Sequence, residues 1–463
     1  MNDFDCPIGV KQGDCLSPTL FAIFINDLAK EIKDCNVGVQ IDDNLFMNIL
    51  LYADDIVLLA ESEPDLQLLL FVVENWCKKW RLEVNLSKTN ILHIRPKRKQ
   101  QSKFMFLFNK KPVVYCKHYT YLGVTLNEFL DYDFTCQVQA DSAGRALSAI
   151  VTKMIKNGGF PFSVYSILYD ACVTSISDYG GEITGFNEYA SSLSLHLRAI
   201  RAFIGVPKNA TKPAVLSEVD WMLPKFRTQV RMVRFYHRLI KMPNNRLCKA
   251  VFNWDKSQNG QTWTSEVKSI LYNSSQGQIF EIGQIFSLQP VIQKIKKSLL
   301  KAQYSNLELE CLNKPKLRTF ITFKKFNGTP AYLRKPLSYI QRKFMAKCRL
   351  GCLPIRIETG RYSRPRLIEN ERTCQICINN DMINNEHVNE VENEIHVLFN
   401  CNRYAQLRNM WIEKLTLPID YRLLNSYEKL DVVLNHVENV KLTSQYLINV
   451  MDLRSKILFN LVK

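Results

Sequence analysis

Two adjacent carboxylates lie in the middle of an otherwise apolar segment of this sequence. Asp54 and Asp55 follow Tyr52-Ala53, with Leu50-Leu51 before the motif and Ile56-Val57-Leu58-Leu59 after it. Like charges so close repel each other, so the pair is costly unless a cation binds to it. Mg²⁺ prefers carboxylate oxygen. The motif therefore predicts a magnesium site, although a solvated acidic turn is the simpler alternative.

The residues around this motif predict the element that positions it. Two apolar, β-branched runs joined by a short acidic turn are typical of a β-hairpin, here over residues 46–60. Both carboxylates would then lie at its tip. A four-residue motif is only suggestive by itself, so its neighbours in the sequence have to decide between the two interpretations.

Three further motifs flank the hairpin. Gly9-Val10-Lys11-Gln12-Gly13-Asp14-Cys15-Leu16-Ser17-Pro18 precedes it, and Leu86-Ser87-Lys88-Thr89 and Tyr121-Leu122-Gly123-Val124 follow. Together with the Tyr-Ala-Asp-Asp motif, they closely resemble in order and spacing the palm of a reverse transcriptase of the non-LTR (LINE-like) retrotransposon type. The resemblance extends over nearly the whole chain, and Ser177-Asp178-Tyr179-Gly180 matches a recurrent tract of the family.

The resemblance implies an RNA-directed DNA polymerase that performs template-directed nucleotidyl transfer with two Mg²⁺ ions. Asp54 would be the main metal ligand of the hairpin and Asp55 the second choice. Tyr52 and Ala53 would lie beneath the primer terminus. The nucleotide and template contacts would include Gln12 and Gly13, although a glycine-containing loop between a strand and a helix is an alternative for that segment.

Two downstream motifs have roles implied by the same resemblance. Lys88 could protonate the leaving pyrophosphate or offset its charge, or it could be an exposed lysine at a strand edge. The turn Tyr121, Leu122 and Gly123 resembles the primer grip, which packs against the primer backbone; an ordinary hairpin is the alternative.

One departure from the family pattern bears on activity. The other main carboxylate of the family comes from a strand upstream of the Gly9 segment, and Asp3 and Asp5 lie too close to Gly9 to match it. We therefore expect a C-terminal portion that starts within the palm and lacks the endonuclease, the fingers and the first catalytic carboxylate motif. The alternative function is a catalytically inactive, truncated remnant that still binds nucleic acid.

A second set of possible metal ligands lies near the C-terminus. Cys374 and Cys377 are followed by His396 and Cys401, and three thiolates with an imidazole suit tetrahedral Zn²⁺. A zinc-knuckle-like unit also matches the family. His387 could replace His396, and reduced cysteines in a small core are the alternative to a metal site.

The net charge of +17 is unevenly distributed. No acidic residue occurs from Val84 to Asn127 or from Cys311 to Ile357, and both stretches are rich in Lys and Arg. Clustered cations indicate a polyanionic partner, here an RNA template and a DNA primer or duplex, although a basic surface kept for solubility is possible. The residues predicted to contact the nucleic-acid backbone are Arg95, Lys97, Arg98 and Lys99, and the basic flank of the Cys/His unit is Arg361, Arg364, Arg366 and Arg372.

The sequence contains no N-terminal signal and no apolar run of transmembrane length. The cysteines are mostly scattered singly, as in proteins with reduced thiols. We expect an intracellular protein, in the nucleus, the cytoplasm or both, without a membrane partner; no protein partner is predicted.

The predicted fold class is α+β, a partial palm followed by mostly helical regions. Ser17 is predicted to cap a first helix that ends near Lys33, and Ser62 and Pro64 to begin a second over 64–81. The predicted strands are 83–94, 103–108, 112–116 and 118–126, and the later helices are 134–156, 161–176, 189–204 and 224–242. The predicted domains are a partial palm over 1–127, a thumb and helical region over 128–250, a linker or loop over 251–283, a basic helical region over 284–369, the Cys/His unit over 370–404 and a helical tail over 405–463.

Overall fold

The computed structural model describes residues 11, 13–42, 45–377 and 390–462. The chain divides into two compact units. The first comprises Met1–Thr135 with Arg238–Glu266, and the second comprises Cys136–His237 with Val267–Lys463. Helices dominate and the strands form small sheets, which agrees with the predicted α+β class.

The described strands are short and form pairs. The antiparallel pairs are β1 (Val39–Asp42) with β2 (Leu45–Met47), β3 (Ile49–Tyr52) with β4 (Asp55–Leu58), β6 (Leu107–Phe108) with β7 (Lys111–Pro112), and β9 (His118–Tyr121) with β10 (Val124–Asn127). The pair β5 (Asn90–Leu92) with β8 (Val114–Cys116) is parallel.

Three strand predictions were too long. The strand predicted over 103–108 is confined to β6. The strand predicted over 83–94 is confined to β5, because Asn85 Oδ1 accepts hydrogen bonds from the backbone N–H and the hydroxyl of Ser87 at 3.1 and 2.7 Å and holds a turn there. The strand predicted over 118–126 is a hairpin, since Leu122 and Gly123 turn the chain between β9 and β10.

Two helices build the core of the first unit. They are α1 (Ser17–Asp34) and α2 (Glu63–Trp80). The Phe24 ring lies 5.5 Å from Trp76 and 5.2 Å from Trp80, centroid to centroid. Around these rings, the fully buried residues include Leu28, Ile32 and Leu69. These apolar residues form the packed faces of the two helices, although Trp80 at the end of α2 is 39% exposed.

The two serines predicted as helix caps differ in their roles. Ser62 caps α2 by accepting a hydrogen bond from the Asp65 N–H, as predicted. Ser17 is not a cap, because its hydroxyl donates to the Lys11 carbonyl oxygen at 2.7 Å and helix α1 has no side-chain cap.

A buried asparagine connects the β3–β4 hairpin to α1. The Asn48 side-chain amide donates to the carbonyl oxygens of Ile32 at 2.9 Å and Val37 at 3.1 Å. The Asn48 carbonyl accepts the Leu59 N–H at 2.9 Å. Because Asn48 is only 3% exposed, these bonds satisfy polar groups that would otherwise be buried alone. They hold the base of the hairpin in place.

Most of the other described residues lie in helices and in the turns between them. The helices in chain order are α3 (Tyr132–Lys156), α4 (Phe162–Tyr169), α5 (Ser175–Ser177), α6 (Gly181–Thr184), α7 (Ala190–Ile204), α8 (Lys212–Glu218), α9 (Pro224–Lys241), α10 (Leu247–Ser257), α11 (Trp263–Asn273), α12 (Gln278–Ile282), α13 (Leu288–Leu312), α14 (Phe320–Phe323), α15 (Ala331–Arg334), α16 (Tyr339–Arg349), α17 (Arg356–Thr359), α18 (Ala405–Ile412), α19 (Ser426–Asn435) and α20 (Asn439–Val462). Short π-helical turns occur at Asp170–Thr174 and His396–Asn400. None of the described helices is long and apolar enough to cross a bilayer.

The segment 251–283, predicted as a linker or loop, contains regular secondary structure. Helices α10, α11 and α12 occupy most of it. The prediction of a linker or loop was based on the polar composition of this segment. It overlooked three apolar residues at helical spacing, Val267, Ile270 and Leu271, all of which are buried.

Candidate functional site

The Tyr-Ala-Asp-Asp motif forms the tip of the predicted hairpin. Tyr52 pairs with Asp55 at the end of the β3–β4 ladder, so Ala53 and Asp54 make a two-residue turn. Both carboxylates are exposed, and Tyr52 is 62% exposed. The structure therefore presents two carboxylates and one aromatic ring on the solvent side of an otherwise apolar hairpin, in an arrangement open to a cation.

Ala53 has an uncommon backbone conformation. Its φ is +51°, in the left-handed region, which costs a residue with a Cβ roughly 1–2 kcal/mol. Replacing Ala53 with glycine removes this strain, so we expect the urea midpoint of unfolding to stay the same or rise. The matched control is Ala29→Gly in the right-handed helix α1, which should lower the midpoint because glycine costs about 1 kcal/mol there. An equal drop in both variants would contradict the strain at Ala53.

The predicted primer-grip turn is close to the hairpin within the first unit. Leu122 and Gly123, both with positive φ of 47° and 80°, form the two-residue turn between β9 and β10. Partial burial raises the pKa of Tyr121, and the negative charge of Asp55 raises it further. The structure thus brings together two motifs that are separated by more than sixty positions in the sequence.

The other predicted nucleotide contacts are only partly described. Gly13 has a φ of +88° with open space around the position of a Cβ, so its backbone conformation rather than crowding requires glycine. Gln12 lies outside the described residues. Lys88 is exposed on the turn that Asn85 holds, and its carbonyl accepts a hydrogen bond from the Tyr119 hydroxyl at 3.4 Å. The Lys88 side chain is therefore presented to solvent from a turn, not from a strand edge.

The four predicted ligands near the C-terminus do converge. The ligand atoms of Cys374, Cys377, His396 and Cys401 all lie within 4.8 Å of one another. The Cys377 Sγ atom is 3.6 Å from both His396 Nε2 and Cys401 Sγ. Tetrahedral zinc, with bonds of about 2.3 Å to sulfur and 2.0 Å to nitrogen, places its ligand atoms roughly 3.5–3.8 Å apart. The cluster could therefore hold a metal ion; His387 lies outside the described residues.

Local backbone structure explains how His396 and Cys401 reach the same point. The Cys401 N–H donates to the His396 carbonyl at 2.8 Å, which is the i to i+5 bond of a π-turn. A π-turn contains one residue more than an α-helical turn, so it places the side chains of His396 and Cys401, five positions apart, on the same side of the turn. Cys374 is held by its N–H bond to the Glu390 carbonyl at 3.0 Å.

The thiols interact strongly inside this cluster. Hydrogen bonds with Cys374 and Cys377 lower the pKa of the Cys401 thiol, and hydrogen bonds with Cys374 and Cys401 raise the pKa of Cys377. These hydrogen bonds favour the thiolate form of Cys401 and disfavour that of Cys377. A bound metal cation would allow all of the cysteines to be thiolates together.

The sequence analysis missed a residue beside this cluster. The Glu390 carboxylate lies 2.6 Å from His396 Nδ1, which leaves Nε2 directed toward the thiols. A carboxylate on the far nitrogen commonly orients a metal-binding histidine. Its only sequence signal was an acid six positions before the histidine, within an acidic run.

The first basic stretch is largely exposed, with one exception among the predicted contacts. Lys97, Arg98 and Lys99 are exposed. Arg95 is not available as predicted, because its side chain is 9% exposed and donates to the Glu128 carboxylate at 2.7 Å and the Lys99 carbonyl at 2.9 Å. Lys97 Nζ is 3.6 Å from Asp131, but its side chain remains 71% exposed.

The second basic stretch is only partly available as a nucleic-acid surface, because several of its cations are buried or paired with acids. Arg342 and Arg349 are buried. Other cations pair with acids from distant segments, and these pairs are Lys316 with Glu358, Arg318 with Glu394, Lys335 with Glu438, and Lys324 and Arg349 with Glu218.

The basic flank of the Cys/His unit is divided in the same way. Arg372 is buried and donates to the carbonyls of Ile357 and Leu367, and Arg361 pairs with Glu358. Arg364 and Arg366 remain exposed. Only part of this flank is therefore available to an external anion.

Comparisons with known proteins agree with the resemblance that the motifs carry. Residues 5–126 match the family described as reverse transcriptase (RNA-dependent DNA polymerase). Over 212 residues the chain is 27% identical to a probable RNA-directed DNA polymerase from transposon BS of Drosophila melanogaster, covering 43% of this chain and 22% of that protein. Over 93 residues it is 34% identical to a retrovirus-related Pol polyprotein from the type-2 retrotransposable element R2DM of the same organism, covering 20% of this chain and 9% of that protein.

The chain thus spans less than a quarter of the length of either relative. The matched family segment contains the hairpin with Asp54 and Asp55, the Lys88 turn and the Tyr121 turn. The predicted resemblance is confirmed, and residues 5–126 are a reverse transcriptase segment of the kind encoded by non-LTR retrotransposons.

Proposed function

We propose that this chain contributes to an RNA-directed DNA polymerase that copies retrotransposon RNA from a DNA primer end. The observation that carries the proposal is the Tyr-Ala-Asp-Asp hairpin, which presents two exposed carboxylates within the segment that matches the reverse transcriptase family. The proximity of the Tyr121 turn to Asp55 supports the same arrangement.

Asp54 and Asp55 would hold Mg²⁺, which in nucleotidyl transfer activates the primer hydroxyl and stabilises the triphosphate. Oxygen ligands and an open, solvated tip fit this hard cation. Two ions need more carboxylates than one hairpin supplies. Among the described residues, no third Cys, His, Asp or Glu side chain joins Asp54 and Asp55. The further magnesium ligands would therefore have to come from another segment.

The surrounding residues would position the nucleic acid. Tyr52 and Ala53 would lie under the primer end, with Gly13 near the template or nucleotide. Lys88, exposed on its turn, would offset the charge of the leaving pyrophosphate. The Tyr121-Leu122-Gly123 turn would contact the primer backbone.

Residues outside the hairpin would bind the nucleic-acid duplex. Exposed cations of the first basic stretch would contact phosphates, which makes binding salt-dependent. They are Lys97, Arg98, Lys99, Lys103, Lys110, Lys111 and Lys117. Residues 1–127 would serve as part of the palm and 128–250 as a thumb and helical region, with 238–266 belonging structurally to the first unit. We place the protein inside the cell, in the nucleus, the cytoplasm or both.

We further propose that Cys374, Cys377, His396 and Cys401 hold Zn²⁺ as a structural site. Four protein ligands leave no open position, and this is typical of structural rather than catalytic zinc. The separations of 3.6 Å between the Cys377 sulfur and two other ligand atoms support this assignment.

Primer extension on an RNA template tests the polymerase proposal. With Mg²⁺ present, Asp54→Asn should reduce nucleotide incorporation at least about 100-fold, because it removes charge from the metal site. The control is Asp34→Asn, an equal loss of charge at an exposed position at the end of α1, which should leave incorporation unchanged. Equal activity of Asp54→Asn and the wild type would contradict the assignment.

The alternative function is a catalytically inactive segment that binds nucleic acid. The observation that favours it is that, among the described residues, no third ligand joins Asp54 and Asp55. The same assay separates the two functions. Absence of incorporation, together with intact and salt-sensitive binding of an RNA–DNA duplex, would favour the binding segment over the polymerase.

A further inference from the structure

The second unit contains a polar cavity that the proposed polymerase function does not use. Its volume is about 540 Å³. One wall comes from residues 324–334 and the other from 416–418 and 431–436. A cavity of this size is in the range of small-molecule sites, which are roughly 300–1,000 Å³.

The deep side of the cavity carries an excess positive charge. Arg349 and Glu218 form a bidentate pair, with N–O distances of 2.9 and 3.0 Å, and neutralise each other. Lys324, with a side chain only 1% exposed, is 3.7 Å from the Glu218 carboxylate, which is longer than a hydrogen bond. One acid thus faces two buried cations.

The other polar groups that line the cavity do not neutralise this excess positive charge. Asn435 accepts a hydrogen bond from Arg349 at 2.8 Å and donates to Asp431 at 2.6 Å. The mouth adds two exposed cations, Lys325 and Arg334. Among the charged residues that line the cavity, four are cations and Asp431 is the single acid, with His436 beside it.

Burying two cations against the one carboxylate of Glu218 is costly, so a further anion would stabilise them. Burial lowers the pKa of Lys324 to about 8, which is the expected result when the charged form is incompletely compensated. Asp220 adds only a more distant negative charge, and its carboxylate already accepts a hydrogen bond from the Tyr304 hydroxyl. The chemistry that fits two exposed cations above a buried one is an anion with several oxygens.

We propose that this cavity binds a phosphate group carried by a ligand of about nucleotide size, with Lys324 at its base and Lys325 and Arg334 at its mouth. A free mononucleotide and one nucleotide of a single strand share this chemistry. Charge-assisted hydrogen bonds from Lys and Arg are the usual means of holding phosphate oxygens. The site lies within the second unit and does not depend on the hairpin carboxylates.

Ligand binding to the full chain tests this assignment. AMP binding is measured by calorimetry, and binding of a short labelled oligothymidylate by fluorescence anisotropy. Lys325→Glu should weaken binding at least about tenfold, since it removes one charge-assisted contact and adds a repulsive charge. The matched control is Lys314→Glu, the same charge change at an exposed lysine that does not line the cavity, and it should bind like the wild type.

The two ligands distinguish the two sources of phosphate. If Lys325→Glu loses AMP binding and Lys314→Glu does not, the result supports a mononucleotide site. A response of the oligothymidylate without a response of AMP supports a site for a strand. Equal behaviour of Lys325→Glu and Lys314→Glu with both ligands would overturn the proposal.

A second variant tests the buried cation directly. Lys324→Met keeps most of the length of the side chain and leaves the Glu218–Arg349 pair intact, so its melting temperature should be unchanged or higher. Its affinity for the ligand should fall at least about tenfold. Wild-type affinity in a folded Lys324→Met variant would refute the role of this ammonium.

Discussion

Replacing Cys374 with serine is expected to remove zinc from the second unit and to unfold the region around it. The thiol is 1% exposed and its ligand atom lies within 4.8 Å of the other three. Structural zinc contributes an apparent 10–16 kcal/mol, roughly, in zinc-finger peptides. That is comparable to the roughly 5–15 kcal/mol that stabilises a typical domain. Even partial loss of this contribution should therefore be visible as a large drop in stability.

Metal content and thermal unfolding measure this effect together. The wild type should contain one zinc per chain, and a chelator should lower its melting temperature. Cys172→Ser is the matched control, since this exposed cysteine of the second unit lies outside the cluster. His396→Ala should lose zinc and His387→Ala should keep it. A wild-type protein without zinc, or a Cys374→Ser variant with the normal amount, would contradict the site.

Replacing Glu218 with glutamine is expected to destabilise the second unit by about 3–5 kcal/mol, because it leaves Arg349 and Lys324 buried without an acid. The Glu218 side chain is fully buried, so no water can replace the lost carboxylate charge. The exposed acid Glu308 supplies the control, and Glu308→Gln should change the stability very little.

Urea unfolding compares these variants with a triple substitution. Glu218→Leu, Arg349→Met and Lys324→Met together remove all three charges, and should recover much of the lost stability. Equal urea midpoints for the wild type and Glu218→Gln would show that the carboxylate contributes nothing.

The same pair predicts a dependence on pH. Burial alone would raise the pKa of Glu218, but the charges of Arg349 and Lys324 outweigh it and lower the pKa below its ordinary value of 4.5. A carboxyl with a lowered pKa in the folded state contributes stability that is complete above pH 4.5 and is lost as the pH falls through the folded pKa. The stability difference between the wild type and Glu218→Gln should therefore shrink in acid.

The motifs that carry chemistry could be recognised from local sequence, because each depends on a few residues close together. The Tyr-Ala-Asp-Asp hairpin has the predicted turn, and the four ligands near the C-terminus converge as predicted. Apolar residues at helical spacing predicted α1 and α2 well. The same rule failed for 251–283, where a polar composition concealed a short buried stripe.

Local sequence could not show which charges face solvent. The stretch from Cys311 to Ile357 contains no acid, but Arg349 pairs with Glu218, 131 positions away, and Arg318 pairs with Glu394, 76 positions away. The acidic run after residue 389 is divided among three partners, since Glu390 contacts His396, Glu392 contacts Arg454 and Glu394 contacts Arg318.

The sequence by itself determined the hairpin carboxylates, the set of metal ligands and the helical periodicity, since these depend on residue type and short spacing. Only the tertiary structure decided that Asp55 lies near Tyr121, that Arg95 is engaged by Glu128, and that Lys324 is left as an excess buried cation. Electrostatic pairing acts through space between distant segments. A count of charges along the chain therefore cannot distinguish an internal ion pair from a surface that binds an anion.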